Sequence, residues 1–156
     1  MRLNPAPALM AGLLATVLAA TSLPALAADE PVLTGTLYKD PACGCCAEYG
    51  AYLRENGFEL EIVNTDDLAS IKQAHGVPAD FEGCHSLTIG DYIVEGHVPV
   101  AVILRLLTEQ PDIAGISLPG MPMGSPGMSG DKEGPFEIYA IGSGADAGKA
   151  EIFAVE

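Results

Sequence analysis

Cys43-Gly44-Cys45-Cys46 crowds three thiols into four residues, and no other segment carries as much chemical potential. Cys43 and Cys46 stand at C-x-x-C spacing. At the start of a helix that spacing brings both sulfurs to one end, where free N–H groups and the positive end of the dipole favour thiolate. Thiolate is the nucleophile of disulfide exchange and also the soft ligand for copper(I) or zinc. Cys45 is a further thiol, at a position that a disulfide-exchange enzyme usually leaves without one. Adjacent Cys45 and Cys46 make a poor disulfide, whereas a soft metal ion or cluster could use all three sulfurs. Cys84 adds a fourth sulfur, and His85 and His97 add imidazoles. Met121, Met123 and Met128 add thioethers, which act as weak soft ligands or as a hydrophobic lid. His75 falls at helical spacing with Leu68 and Ile71 and reads as a packed or surface histidine.

These groups meet only if the elements around them bring them together. Leu33 to Lys39 alternates as a strand, Asp40-Pro41 breaks it, and Cys46, Tyr49 and Leu53 mark one face of the helix that follows. Phe58 to Val63 alternates as a second strand. Thr65-Asp66-Asp67 caps a second helix, which Gly76 and Pro78 stop. Ser86–Ile89 and Tyr92–Glu95 flank the turn Gly90-Asp91 as a hairpin, and Pro99 opens a third helix with Val100, Ile103, Leu106 and Leu107 on its buried face. This order predicts an α/β, thioredoxin-like domain: a central mixed sheet flanked by helices. In that topology the loop before the third strand faces the C-x-x-C helix, so Cys84 approaches Cys43, and His97 returns to the same end of the sheet. Residues 111–135 hold six Gly, five Pro and the three methionines, and read as a long Gly/Pro/Met-rich loop. Phe136–Ile141 and Ala150–Val155 close the chain as strands.

Composition narrows the function classes. The 156 residues carry 7 Lys/Arg against 21 Asp/Glu, a formal charge of −14. Met1-Arg2, the apolar run Ala8–Ala20 and Pro24 before Ala25-Leu26-Ala27 read as a secretory signal cleaved after Ala27. Residues 28–156 then form a single exported domain, periplasmic in location, carrying a charge of −15. That charge disfavours nucleic acid and anionic lipid as partners, and once the signal is cleaved no segment is left that could span a bilayer. Four cysteines in such a chain are too few for a disulfide-built scaffold. No Ser/His/Asp order, phosphate-cradling glycine loop or paired-carboxylate arrangement stands out.

The ordered set Tyr38-Lys39-Asp40-Pro41-Ala42-Cys43-Gly44-Cys45-Cys46, Asn56-Gly57-Phe58, Asp66-Asp67-Leu68, Gly76-Val77-Pro78, Cys84-His85, Glu95-Gly96-His97-Val98-Pro99, Pro119-Gly120-Met121-Pro122 and Gly124–Met128 resembles the CopG-like copper-resistance family across residues 33–141. The resemblance implies a thioredoxin-like fold and a copper site built from Cys43, Cys45, Cys46, Cys84 and His97. It also implies a role in copper tolerance, with interconversion of copper(I) and copper(II) and exchange with other periplasmic copper-handling proteins. Three functions are therefore expected of this sequence. The first is an exported copper-binding protein, with zinc fitting the same ligand types. The second is a periplasmic thiol–disulfide oxidoreductase using Cys43 as nucleophile and Cys46 as resolving thiol. The third is a non-enzymatic module held by two structural disulfides.

Overall fold

Leu33–Lys39 forms strand β1, and Phe58–Asn64 forms β2 beside it in parallel register. Parallel neighbours require a crossover, which helix α1, Gly44–Glu55, supplies. The computed structural model describes residues 32–144 and 150–156, so the expected signal at 1–27 lies outside the described residues. Helix α2, Leu68–Ala74, begins at Asp67, whose side chain accepts the Ser70 N–H, and a 3-10 turn follows at Ala79–Phe81. Strands β3, His85–Ile89, and β4, Tyr92–Gly96, form the expected hairpin. Helix α3 spans Val100–Glu109, and strands β5, Ile113–Leu118, β6, Glu137–Gly142, and β7, Ala150–Val155, complete the order. All seven strands join one sheet, β2-β1-β3-β4-β5-β6-β7. The β1–β2 and β4–β5 pairs are parallel and the other neighbours antiparallel. The chain is thus α/β, with a mixed sheet and three helices among the described residues. None of those helices is long and apolar enough to cross a membrane.

β5 corrects the reading of 111–135 as loop throughout. Pro111, Gly115 and Pro119 punctuate the segment and mask a strand whose Ile116 and Leu118 are buried. Gly115 sits there because β4 leaves no room for a side chain: a Cβ would fall 1.8 Å from the Ile93 carbonyl oxygen. The loop that remains runs from Pro119 to Phe136 and is where the three methionines lie.

The sheet buries both faces. Leu37, Leu87, Val94 and Ile116 pack with Tyr49 and Leu53 of α1 and Ile103 and Leu106 of α3. Ile93, next to Val94 and therefore on the other face, packs with Val77, Phe81 and Ile141. The same alternation puts His85 on the α1 face, stacked on Tyr49, and puts Ser86 and Glu95 on the α2 face, bonded to Lys72.

Candidate metal centre

The end of β1 presents the cysteine segment through a set of local bonds. Lys39, 5% exposed, donates its ammonium to the Asp40 carbonyl (2.8 Å) and to Asn64 Oδ1 (3.2 Å), which holds the chain as it leaves the strand. Asp40 then accepts twice, its Oδ1 from the Ala42 N–H (2.7 Å) and its carbonyl from the Cys43 N–H (3.0 Å). Cys43 is the N-cap of α1, and its sulfur accepts the Cys46 N–H at 3.3 Å. Cys43 and Cys46 are joined as a disulfide with Cα atoms 5.4 Å apart, while Cys45 and Cys84 are free. Cys46 is fully buried; Cys43, Cys45 and Cys84 are half-buried.

Cys84 is the hub. Its sulfur lies 3.4 Å from Cys46 Sγ, 4.0 Å from Cys45 Sγ, 3.5 Å from His85 Nδ1 and 3.4 Å from His97 Nε2. The four sulfurs lie within 4.8 Å of one another, and so do Cys84 Sγ and the two imidazole nitrogens. The expected meeting of Cys84 with the C-x-x-C helix therefore occurs, but its nearest sulfur is that of Cys46 rather than Cys43. All five residues expected as ligands converge, together with His85. His75 stands apart and exposed.

Both histidines turn one ring nitrogen toward Cys84. His85 Nε2 donates to the Gly96 carbonyl at 3.0 Å and His97 Nδ1 donates to the Pro126 carbonyl at 2.7 Å. Each bond places the ring proton on the far nitrogen and leaves the near lone pair aimed at Cys84, as outer partners of metal-bound histidines do. Burial lowers the pKa of both rings; His85, further disfavoured by His97 and Lys72, falls to about 3. The imidazoles are therefore neutral at physiological pH. Tyr49 is stacked on His85 (4.6 Å) and edge-on to His97 (5.2 Å), with its hydroxyl donating to the Val98 carbonyl at 2.8 Å. Burial and the neighbouring Cys45 push the Cys84 thiol up to about 12, so it keeps its proton at physiological pH.

The methionine loop reaches the site through its backbone. Pro126 supplies the carbonyl to His97, and Gly127, at φ 77°, lies so close to α1 that a Cβ would come within 2.6 Å of Tyr49 N. Met121 and Met123 are 42% and 49% exposed, so neither closes a buried lid, and Met128 is half-buried. The reading of residue types missed Tyr49, the Pro126 carbonyl and a buried Lys72–Ser86–Glu95 set behind the site. The aromatic spacing in α1 signals Tyr49 as core only, and a lysine off the Leu68–Ile71 stripe of a short helix carries no signal of burial.

The residues 81–128, which include Cys84, both histidines and the loop methionines, match the family model described as Protein of unknown function, DUF411. Two solved structures are similar over most of the chain, both named copper resistance protein copG. Form 2 superposes with a TM-score of 0.73 at 35% identity, covering 81% of this chain and 99% of the other. Form 1 gives 0.72 at 36%, covering 81% and 98%. No curated protein matches.

Proposed function

The chain belongs to the CopG copper-resistance family, and on that premise we propose that it is an exported copper-binding protein whose cysteines and histidines hold copper around Cys84. The observation that supports this most directly is the convergence of two neighbouring sulfurs, Cys45 and Cys46, and two imidazole nitrogens on the Cys84 thiol. The donor chemistry fits copper. Thiolates suit copper(I), neutral imidazoles suit either oxidation state, and a mixed set tolerates both. Cys43, Cys45, Cys46, Cys84 and His97 are the proposed ligands, with His85 added on the strength of its fixed tautomer. Cys43 and Cys46 join the set only after their disulfide takes up two electrons and two protons. Copper held there brings one-electron chemistry, which is the basis for a role in interconverting copper(I) and copper(II). Zinc fits the same ligand types, and membership of the family favours copper.

We read β1-α1-β2 with the β3–β4 hairpin and α3 as a thioredoxin-like arrangement, extended by β5 to β7. Residues 1–27 act as a cleaved signal in this account, delivering residues 28–156 as one domain to the periplasm. There the protein exchanges copper with other copper-handling proteins and contributes to copper tolerance. Reduced protein titrated anaerobically with copper(I) against a competing chelator is expected to bind tightly. The double substitution Cys43→Ser with Cys84→Ser is expected to abolish that binding, and unchanged affinity in the double variant would contradict the site.

One observation favours a second reading. The Cys43–Cys46 disulfide pairs a half-exposed sulfur at a helix start with a fully buried one, the asymmetry that thiol–disulfide oxidoreductases use for nucleophile and resolving thiol. Insulin reduction by metal-free protein separates the two readings. Robust turnover supports the oxidoreductase, and its absence alongside tight copper binding supports the metal centre.

A further inference from the structure

Behind the cysteine cluster, on the α2 face of the sheet, lies a polar set to which the proposed ligation assigns no part. Lys72 of α2, Ser86 of β3 and Glu95 of β4 are 4%, 0% and 0% exposed. Glu95 Oε2 accepts from Lys72 Nζ and, at 2.9 Å, from the Gly83 N–H. Its Oε1 accepts the Ser86 hydroxyl, and Lys72 Nζ also donates to Ser86 Oγ at 3.1 Å. No buried side-chain nitrogen or oxygen among the described residues is left without a partner.

Every contact of this set falls one or two residues from a sulfur or an imidazole. Gly83 precedes Cys84, Ser86 follows His85, and Glu95 stands two residues before His97. The backbones are in contact as well, since a Cβ on Gly83 would lie 2.4 Å from Gly96 N. Replacing a buried ion pair with apolar residues of similar volume often leaves stability unchanged or raises it. The pair's distinctive contribution is therefore an acceptor for the Gly83 N–H, which an apolar pair lacks.

We propose that Lys72 and Glu95 are positioning residues of the metal centre. Glu95 draws the Gly83 N–H against β4, which fixes the turn that presents Cys84 Sγ to Cys45, Cys46 and His97, while Lys72 holds the carboxylate in place from α2. The functional part of this inference rests on the copper reading above.

The double variant Lys72→Met with Glu95→Leu removes the acceptor without leaving a lone buried charge. Three measurements on the full chain decide the matter: cooperative unfolding, alkylation of Cys84 by iodoacetamide in metal-free reduced protein followed by mass spectrometry, and copper(I) affinity against a competing chelator. The expected result is a folded protein in which Cys84 is alkylated severalfold faster and copper(I) binds ~10–100-fold more weakly, the usual loss when an outer partner of a metal ligand is removed. In the Lys72→Met background, Glu95→Gln keeps an oxygen for the Gly83 N–H without a lone buried charge and is expected to restore the wild-type alkylation rate. A folded double variant with wild-type alkylation and affinity would overturn the proposal. Should the double variant not unfold cooperatively, Ser86→Ala carries the test, because it removes one tie on Glu95 and creates no charge. Faster alkylation of Cys84 in Ser86→Ala supports the proposal and an unchanged rate overturns it. If the wild type binds no copper(I), the copper reading fails, and the alkylation rates still decide whether the pair positions Cys84.

Discussion

Gly127→Ala tests whether the methionine loop orients His97. Gly127 has φ 77°, in a region where a non-glycine residue costs roughly 1–2 kcal/mol. The added Cβ would lie 2.6 Å from Tyr49 N and 2.8 Å from Tyr49 Cα, about 0.8 Å short of ordinary contact at 3.4 Å, and both atoms belong to the backbone of α1. The loop must move, because the helix cannot give way as a flexible side chain would. A displacement of ~0.8 Å along the His97 Nδ1–Pro126 bond takes it from 2.7 Å to about 3.5 Å, beyond the usual hydrogen-bond range. His97 then loses the partner that fixes its tautomer, with an expected ~10–100-fold loss of copper(I) affinity. Strain and lost packing together, about 2 kcal/mol, lower the melting temperature by roughly 8 °C. Gly120→Ala is the control, since Gly120 has φ 79° but open space around its Cβ position. It should lower the melting temperature and leave affinity unchanged. Affinity in Gly127→Ala within about twofold of wild type, despite the thermal shift, would refute the link between loop and ligand, because losing an outer partner of a metal ligand typically costs about tenfold or more.

Three further outcomes follow from the site. Denatured without reductant, the protein should show two reactive thiols, Cys45 and Cys84, rising to four after reduction, and the copper(I) stoichiometry should rise with them; four thiols before reduction would remove the disulfide from the account. His85 stays neutral when folded, whereas unfolded histidine protonates below about pH 6.5. Its contribution is thus fully present above that pH and is lost as pH falls toward the depressed folded value of about 3, at up to about 1.4 kcal/mol per pH unit, and His97, also lowered by burial, acts in the same direction. Denaturant unfolding of metal-free protein from pH 7.5 to 4 should show a shallower decline in His85→Asn than in wild type; parallel curves would contradict the burial of a neutral His85. The comparison with the variant is needed because burial raises the Glu95 pKa, which pulls stability the opposite way over part of this range. Tyr49→Phe removes the hydroxyl from the Val98 carbonyl while keeping the stacked ring, at a cost of about 1–3 kcal/mol measured by unfolding, with copper affinity unchanged.

Much of this was legible because it follows from local pattern. Alternation marked β1 and β2, a proline-led amphipathic run marked α3, and Gly90-Asp91 marked the hairpin whose return brings His97 level with Cys84. The thiol-rich helix start stood out by residue type alone. β5 was hidden because its glycine answers a tertiary demand, the approach of the Ile93 carbonyl, that a sequence does not display. The Pro126 contact with His97 spans 29 residues and involves a backbone carbonyl, so no residue type signals it. Lys72 was equally hidden: the helical spacing of Leu68, Ile71 and His75 points to an apolar stripe, yet His75 is exposed and the lysine enters the sheet because Glu95 and Ser86 receive it.

Elemental analysis tests the central claim most directly. Wild-type protein and Cys84→Ser, each purified from copper-supplemented cells and shown to be folded, would be assayed for copper and zinc per chain. The account predicts at least one copper per wild-type chain, and little or none in the variant that lacks the hub sulfur. Copper retained in full by folded Cys84→Ser, or zinc in place of copper in the wild type, would contradict it.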